Sequence, residues 1–270
     1  MWTGHRLDKE ASSKVTKEAG AEEDAARVNK HLIPKEVLRP ISSAATALRN
    51  HFYDNTLPWK DNGDRLLTRK TFQRFIQEHE KLISEFNNEV QKFIDVNYCA
   101  AREKAAFRMG ELFNPRDYPA ADELRYKFSA NLDVDAVTTA NDFRVQMSGP
   151  EQDRIRADIE AKTAERLGKA MQSVWTRLAD TLGHFAERMT SDGALYESTI
   201  KNLEEIVEIL PELNVLNDSN LDKIRDEIKA TIVGYDIKDL RKHPEVRSIA
   251  ASEAKRIMDD MRGFMTAFGA

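Results

Sequence analysis

From Thr71 to about Phe113 the chain has no proline, and no glycine before Gly110. Phe72, Phe75, His79, Leu82, Phe86, Val90, Phe93, Asn97, Ala101 and Ala105 recur at spacings of three and four, and Ile76, Ile83 and Ile94 widen the stripe. That period places the apolar side chains on one face of a helix. The pattern lasts about 43 residues, about 65 Å at the rise of an α-helix. Such a length belongs to a coiled coil or long bundle rather than to an ordinary globular helix. His79 and Asn97 are the polar exceptions. His79 reads as a seam residue, hydrogen-bonded across the helix pair or reaching its edge. A metal there would need ligands from a partner helix.

A second long helix opens at Ser148-Gly149-Pro150-Glu151. Ile155, Ile159, Leu167, Met171, Val174, Leu178, Leu182, Phe185 and Met189 repeat the spacing over about 40 residues, with Thr163 weak. Two stripes of matched length, joined by a compact insert, predict an antiparallel coiled-coil hairpin with the insert at its tip. The insert breaks at NPRDYPAA, allows a short helical turn at Ala121–Tyr126, and then changes period. Phe128, Ala130, Leu132 and Val134 alternate with polar residues, as do Phe143, Val145 and Met147. Alternation predicts two short strands, a small β wing at about 114–149.

Shorter elements flank this hairpin. Residues 1–30 hold few large apolar side chains and read as a mobile or marginally helical arm. Residues 31–68 supply a helix at 35–55, started by Pro34 and kinked at Pro40, and a loop whose Pro58 and Asn62-Gly63 mark turns. Trp59 in that loop is expected to fold back onto a neighbouring helix. Residues 69–190 form the hairpin and wing. Residues 191–270 form a helical bundle packing on the base. The predicted class is mainly all-α.

The chain has 270 residues, 41 Lys plus Arg and 46 Asp plus Glu, a formal net charge of -5. That balance argues against coating nucleic acid through bulk charge. The lone Cys99 excludes a disulfide framework and a multi-cysteine zinc site, and reads as a small buried hydrophobe. The first 30 residues contain no apolar signal core, and no apolar run is long enough to span a bilayer, so a cytoplasmic protein is expected.

No phosphate-binding glycine loop, dinucleotide fingerprint, paired-histidine zinc motif or nucleophile elbow occurs. No two of the six histidines stand three or four residues apart. The runs Glu22-Glu23-Asp24, Glu204-Glu205 and Asp259-Asp260 place neighbouring carboxylates in different directions on helices, as solvated faces do. Around the expected tip, basic residues are matched by acidic ones. A smaller basic cluster (Arg65, Arg69, Lys70, Arg74) precedes and opens the first long helix. The insert carries Asn131, Asp133, Asp135, Asn141, Asp142 and Arg144, which disfavours membrane insertion.

Several phrases resemble a family of uncharacterised helical proteins encoded mainly by bacteriophages and prophages. They are Thr56-Leu57-Pro58-Trp59 with Asp61, Gly63 and Arg65-Leu66-Leu67, then Asp117-Tyr118-Pro119 and Asp142-Phe143-Arg144-Val145. Trp175 with Arg177-Leu178, and Leu210-Pro211-Glu212-Leu213-Asn214, belong to the same set. The resemblance covers most of residues 28–265. It implies a phage-encoded cytoplasmic or virion-associated protein and carries no catalytic residues.

Together these readings predict a non-enzymatic interaction protein, either an oligomeric scaffold subunit or an adaptor or inhibitor docking on a protein. No catalytic residue, metal or cofactor is expected. The contact candidates are Trp59, Asp61 and Arg65 in the loop, with Phe143 and Arg144 in the wing. The alternative is a nucleic-acid-associated factor in phage replication or recombination, using Arg65, Arg69, Lys70 and Arg74.

Overall fold

A computed structural model describes residues 4–139, 149–191 and 193–265. In chain order the elements are β1 (His5–Asp8), α1 (Lys9–Glu18), β2 (Val28–His31), α2 (Lys35–Asp54), β3 (Leu57–Pro58) and β4 (Arg65–Leu66). Next come α3 (Phe72–Lys92), a π-helical turn (Phe93–Asn97), α4 (Tyr98–Met109), α5 (Ala121–Lys127) and α6 (Pro150–Thr190). The chain ends with α7 (Ser198–Leu213), α8 (Ser219–Thr231), α9 (Ile237–Lys242) and α10 (Pro244–Met265). The protein is mainly helical, with two small antiparallel sheets, β1–β2 and β3–β4. It divides into two compact units, one of residues 1–52 and 76–134, the other of residues 53–75 and 135–270.

In the first unit the core joins Leu32, Ile33 and Ile41 to Phe86, Val90, Phe93, Ile94, Tyr98, Ala101 and Ala105. The seam read from the sequence runs true from Phe75 to Phe93 and then shifts. Asn97, expected on the seam, is exposed, and Tyr98 is buried in its place. The π turn explains this: its wider winding puts Phe93 and Tyr98, five apart, on one face, with ring centroids 5.7 Å apart. Tyr98 donates its hydroxyl to the Pro119 carbonyl at 2.6 Å, and burial pushes its pKa up to about 12. Phe72, at the start of the stripe, is exposed. Cys99 is exposed too, not buried as expected, because it lies about 100° round the helix from Tyr98.

Residues 4–31 form structure that their composition did not announce. Asp8 caps α1 by accepting from the Ala11 amide at 3.0 Å, and β1 pairs with β2 in the register His5↔His31. The Lys30 ammonium lies between Asp8 (3.0 Å) and the buried Asp117 (2.7 Å), while Arg6 reaches Asp117 at 3.0 Å. Lys30 also donates to the Leu112 carbonyl, and the Tyr118 hydroxyl donates to the Leu32 carbonyl. Polar bonds, rather than an apolar stripe, tie this segment down.

The expected wing finds no strand pair among the described residues. Residues 128–139 carry no strand, and Phe143, Arg144, Val145 and Met147 lie outside the described residues. The alternation at Phe128, Ala130 and Leu132 has another cause. Phe128 is buried edge-on against Phe93, at 6.1 Å between centroids, and Ala130 and Leu132 are half-buried. The short helix expected at 121–126 is α5.

The second unit is built on α6. Gly149, at φ +117°, and Pro150 open it, and it runs 41 residues. Its buried side chains all lie in the C-terminal half, from Ala170 to Met189; Ile155, Ile159 and Leu167 are half-buried. The stripe expected to seam onto the first long helix is covered in this unit by α7 and α10. On α10 the inward residues are Ala250, Ala251, Ala254, Ile257 and Met261, while Ile249 is exposed. Trp175 lies fully buried at the centre and donates its indole N–H to Asp218 at 3.1 Å. Asp218 in turn caps α8 through the Asn220 amide at 2.9 Å.

Candidate binding groove

The β3–β4 hairpin is anchored from below. Leu57 pairs with Leu66 and is fully buried. The intervening turn closes through hydrogen bonds from the Trp59 amide (3.1 Å) and the Lys60 amide (3.3 Å) to the Asp64 carbonyl. Gly63 sits at φ +96°, where a side chain would be strained, and Asn62 accepts from the Asp64 amide at 3.1 Å. The turn expected at Asn62-Gly63 is therefore where it was read.

Arg65 is the strut of this hairpin. Its Nε donates to the Thr56 hydroxyl and its Nη2 to the Thr56 carbonyl, both at 2.7 Å. Its guanidinium lies 4.7 Å from the Tyr53 ring centroid. Arg177 of α6 donates to the Asp54 carbonyl at 3.1 Å. Burial lowers the pKa of both arginines, and the charge of Arg177 adds to the lowering at Arg65.

The hairpin tip presents Trp59 over α6. Lys162, Glu165, Arg166 and Lys169 recur at helical spacing and share one face of α6. With Pro58, Trp59, Lys60, Asp61 and Asn62 they line a groove of about 500 Å³. The Arg166 guanidinium lies 5.7 Å from the half-buried Trp59 ring, within the range of cation–π attraction. The flanking charges are paired: Lys162 with Asp158 at 2.6 Å, Lys169 with Glu165 at 2.7 Å, and Lys60 with Asp64 at 2.8 Å. Glu165 is held below its ordinary pKa by its hydrogen bond from Lys169, which is raised in turn. Arg166 makes no ion pair with a described residue.

Of the residues named from the sequence, Trp59 and Asp61 line this groove, whereas Arg65 braces the hairpin. Phe143 and Arg144 lie outside the described residues. The basic cluster is largely engaged within the chain. Lys70 donates to the Pro211 carbonyl at 3.1 Å, Arg74 pairs with Glu212, and Arg65 is bound to Thr56; Arg69 is exposed. Sequence reading missed Lys162, Arg166 and Lys169. Their spacing was visible, but nothing in it said that a tryptophan a hundred residues earlier lies on the same face.

His79 is buried in the first unit, and its Nδ1 meets Nδ1 of His51, on α2, at 3.1 Å. Among the described residues no group of three or more His, Cys, Asp or Glu side chains is placed to hold a metal ion. Among them, too, no helix is long and apolar enough to cross a membrane. No family model matches the chain, and no curated protein or solved structure matches it either.

Proposed function

We propose that the chain is a non-enzymatic interaction protein that docks on a protein partner through the Trp59 groove, as an adaptor or inhibitor or as a subunit of an assembly. The observation that carries this reading is the half-buried Trp59 stacked beside Arg166 on a braced hairpin. Tryptophan and arginine are the side chains that most often dominate binding energy at protein interfaces. Holding them in place before association lowers the ordering cost of binding. The resemblance of the chain to phage- and prophage-encoded proteins points the search for a partner to the bacterial cytoplasm.

The nucleic-acid reading draws less support. Three of its four basic side chains are bonded within the chain, and the groove alternates carboxylates with its cations.

A photo-crosslinking residue at Lys60, with a control at exposed Lys201, tests the proposal in cells that naturally express the chain. A discrete protein adduct, or a self-adduct, from position 60 alone is expected. Absence of any adduct specific to position 60 would overturn it.

A further inference from the structure

Resting on that reading, we infer that the groove takes an acidic protein segment, which sets one carboxylate on Arg166 beside an apolar side chain packed on Trp59. The inference comes from the charge pattern of the groove. Lys162, Lys169 and Lys60 each have a carboxylate of their own, and Arg166 alone of the four cations makes no ion pair with a described residue. Arg166 is half-buried against the indole, so it has lost part of its hydration. A planar guanidinium in that state is suited to a two-point bond with a carboxylate. The indole face next to it supplies flat apolar surface for the neighbouring side chain of the ligand.

The carboxylates in the groove decide the class of partner. Asp61 adds to the negative field at Lys169, and Glu165 lies between the basic side chains along α6. A run of phosphates passing through would meet both. A peptide with a single carboxylate needs only Arg166 and leaves the lysine pairs closed. Those pairs are largely exposed and individually weak, so they steer approach more than they hold a ligand.

The test is a random-peptide display selection on the full chain, followed by fluorescence anisotropy of the enriched peptides against variants. Enriched peptides should carry Asp or Glu next to an aromatic or aliphatic residue. Their binding should be lost in Trp59→Ala, weakened about tenfold or more in Arg166→Glu, and weakened less in Arg166→Lys, which keeps the charge but not the two-point bond. Circular dichroism of each variant checks that it is folded. Peptides that need Trp59 but lack a carboxylate, or bind Arg166→Glu undiminished, would overturn the inference and leave the docking reading standing. Enrichment indifferent to Trp59, or none, would overturn both. Trp59-dependent binding of a short oligothymidine in place of peptide would overturn both in favour of nucleic acid.

Discussion

His51 and His79 face each other, Nδ1 to Nδ1, across 3.1 Å, with ring centroids 5.4 Å apart. The centroid separation is close to the nitrogen gap plus a ring radius at each end, so the two nitrogens point at one another along a common line. A metal ion bound to both would splay the rings around itself at about 2.0–2.1 Å from each nitrogen. The arrangement is that of one shared proton: one imidazole donates N–H and the other accepts. Protonating both removes the acceptor and places two like charges in contact.

Stability should therefore fall on mild acidification. His79 has its pKa lowered from 6.5, first by burial and then by His51. The unfolded chain binds the proton more readily, so this contribution is complete above pH 6.5 and is lost as the pH falls below it towards the folded value. His5 is shifted the same way, by desolvation and by His31 and Lys35. Denaturation midpoints at about pH 7.5 and about pH 5.5 should differ, with the lower pH less stable. His79→Gln should narrow the difference, leaving the share from His5. A midpoint that does not move with pH, or moves equally in the variant, would remove the shared proton from the account.

The N-terminal segment should depend on Lys30. Its side chain is 9% exposed and that of Asp117 4%. Lys30→Met leaves the buried Asp117 carboxylate paired with Arg6 and takes the ammonium from Asp8, which keeps its bond from the Ala11 amide. Removing one partner of a fully buried pair costs about 3–5 kcal/mol. An open cavity lined by Arg6, Asp8, Lys30 and Asp117 brings solvent to this cluster, so about 2 kcal/mol is expected. Limited proteolysis should cut within residues 1–27 of the variant before the rest of the chain.

The helices were legible from spacing, and their failures have separate physical causes. Phe75, Phe86, Val90 and Phe93 stand where a plain period puts them. The π turn moves the seam from Asn97 to Tyr98 without any mark in the apolar pattern, because it changes which backbone groups bond rather than which residues are apolar. At Phe128 the alternation was real but described a chain packing on helices, since alternation specifies a face and not a strand partner. The β1–β2 pairing was silent for the opposite reason: His-Arg-Leu-Asp and Val-Asn-Lys-His are polar, and ion pairs over a long sequence separation hold them. Trp59 was legible as a residue needing cover; the face that covers it was not.

The π turn should behave as one residue inserted into an ordinary helix. Removing Val96, exposed within the π turn, brings Phe93 and Tyr98 four apart, the spacing of an ordinary helix face. The seam should survive, and the variant should fold with a change within about 1 kcal/mol, as for a surface edit with little buried consequence. Deleting Ala101, which lies beyond the turn and is buried, rotates Ala105 off the face and should cost several times more. Equal losses from the two deletions would mean that the π turn is not an inserted residue.

Trp175 should be the most sensitive position in the second unit. Its ring is fully buried and its N–H is bonded to the residue that caps α8. Trp175→Ala should cost about 3–5 kcal/mol in urea denaturation. Trp175→Phe keeps much of the volume but removes the indole donor from Asp218, for about 1–2 kcal/mol. Asp218→Ala alone loses the cap and strands the buried indole N–H, for about 2–4 kcal/mol. If indole and carboxylate act together, the double variant Trp175→Phe with Asp218→Ala should lose less than the sum of the single losses.

Arg65 and Arg166 should separate stability from binding. Arg65 makes bonds at 2.7 Å to the Thr56 hydroxyl and carbonyl, beneath the hairpin. Arg166 lies beside the Trp59 ring on a half-buried stretch of α6 and makes no ion pair with a described residue. Arg65→Ala removes the donor from two partly buried acceptors and should lower stability by about 1.5–3 kcal/mol. Arg166→Ala should stay within about 0.5 kcal/mol of the parent, as surface changes do, while changing the indole emission of Trp59. Trp2 and the fully buried Trp175 also emit, so the Trp59 signal is taken as the difference from Trp59→Phe. A large stability loss in Arg166→Ala would make this arginine a brace like Arg65, with no charge left over for a partner.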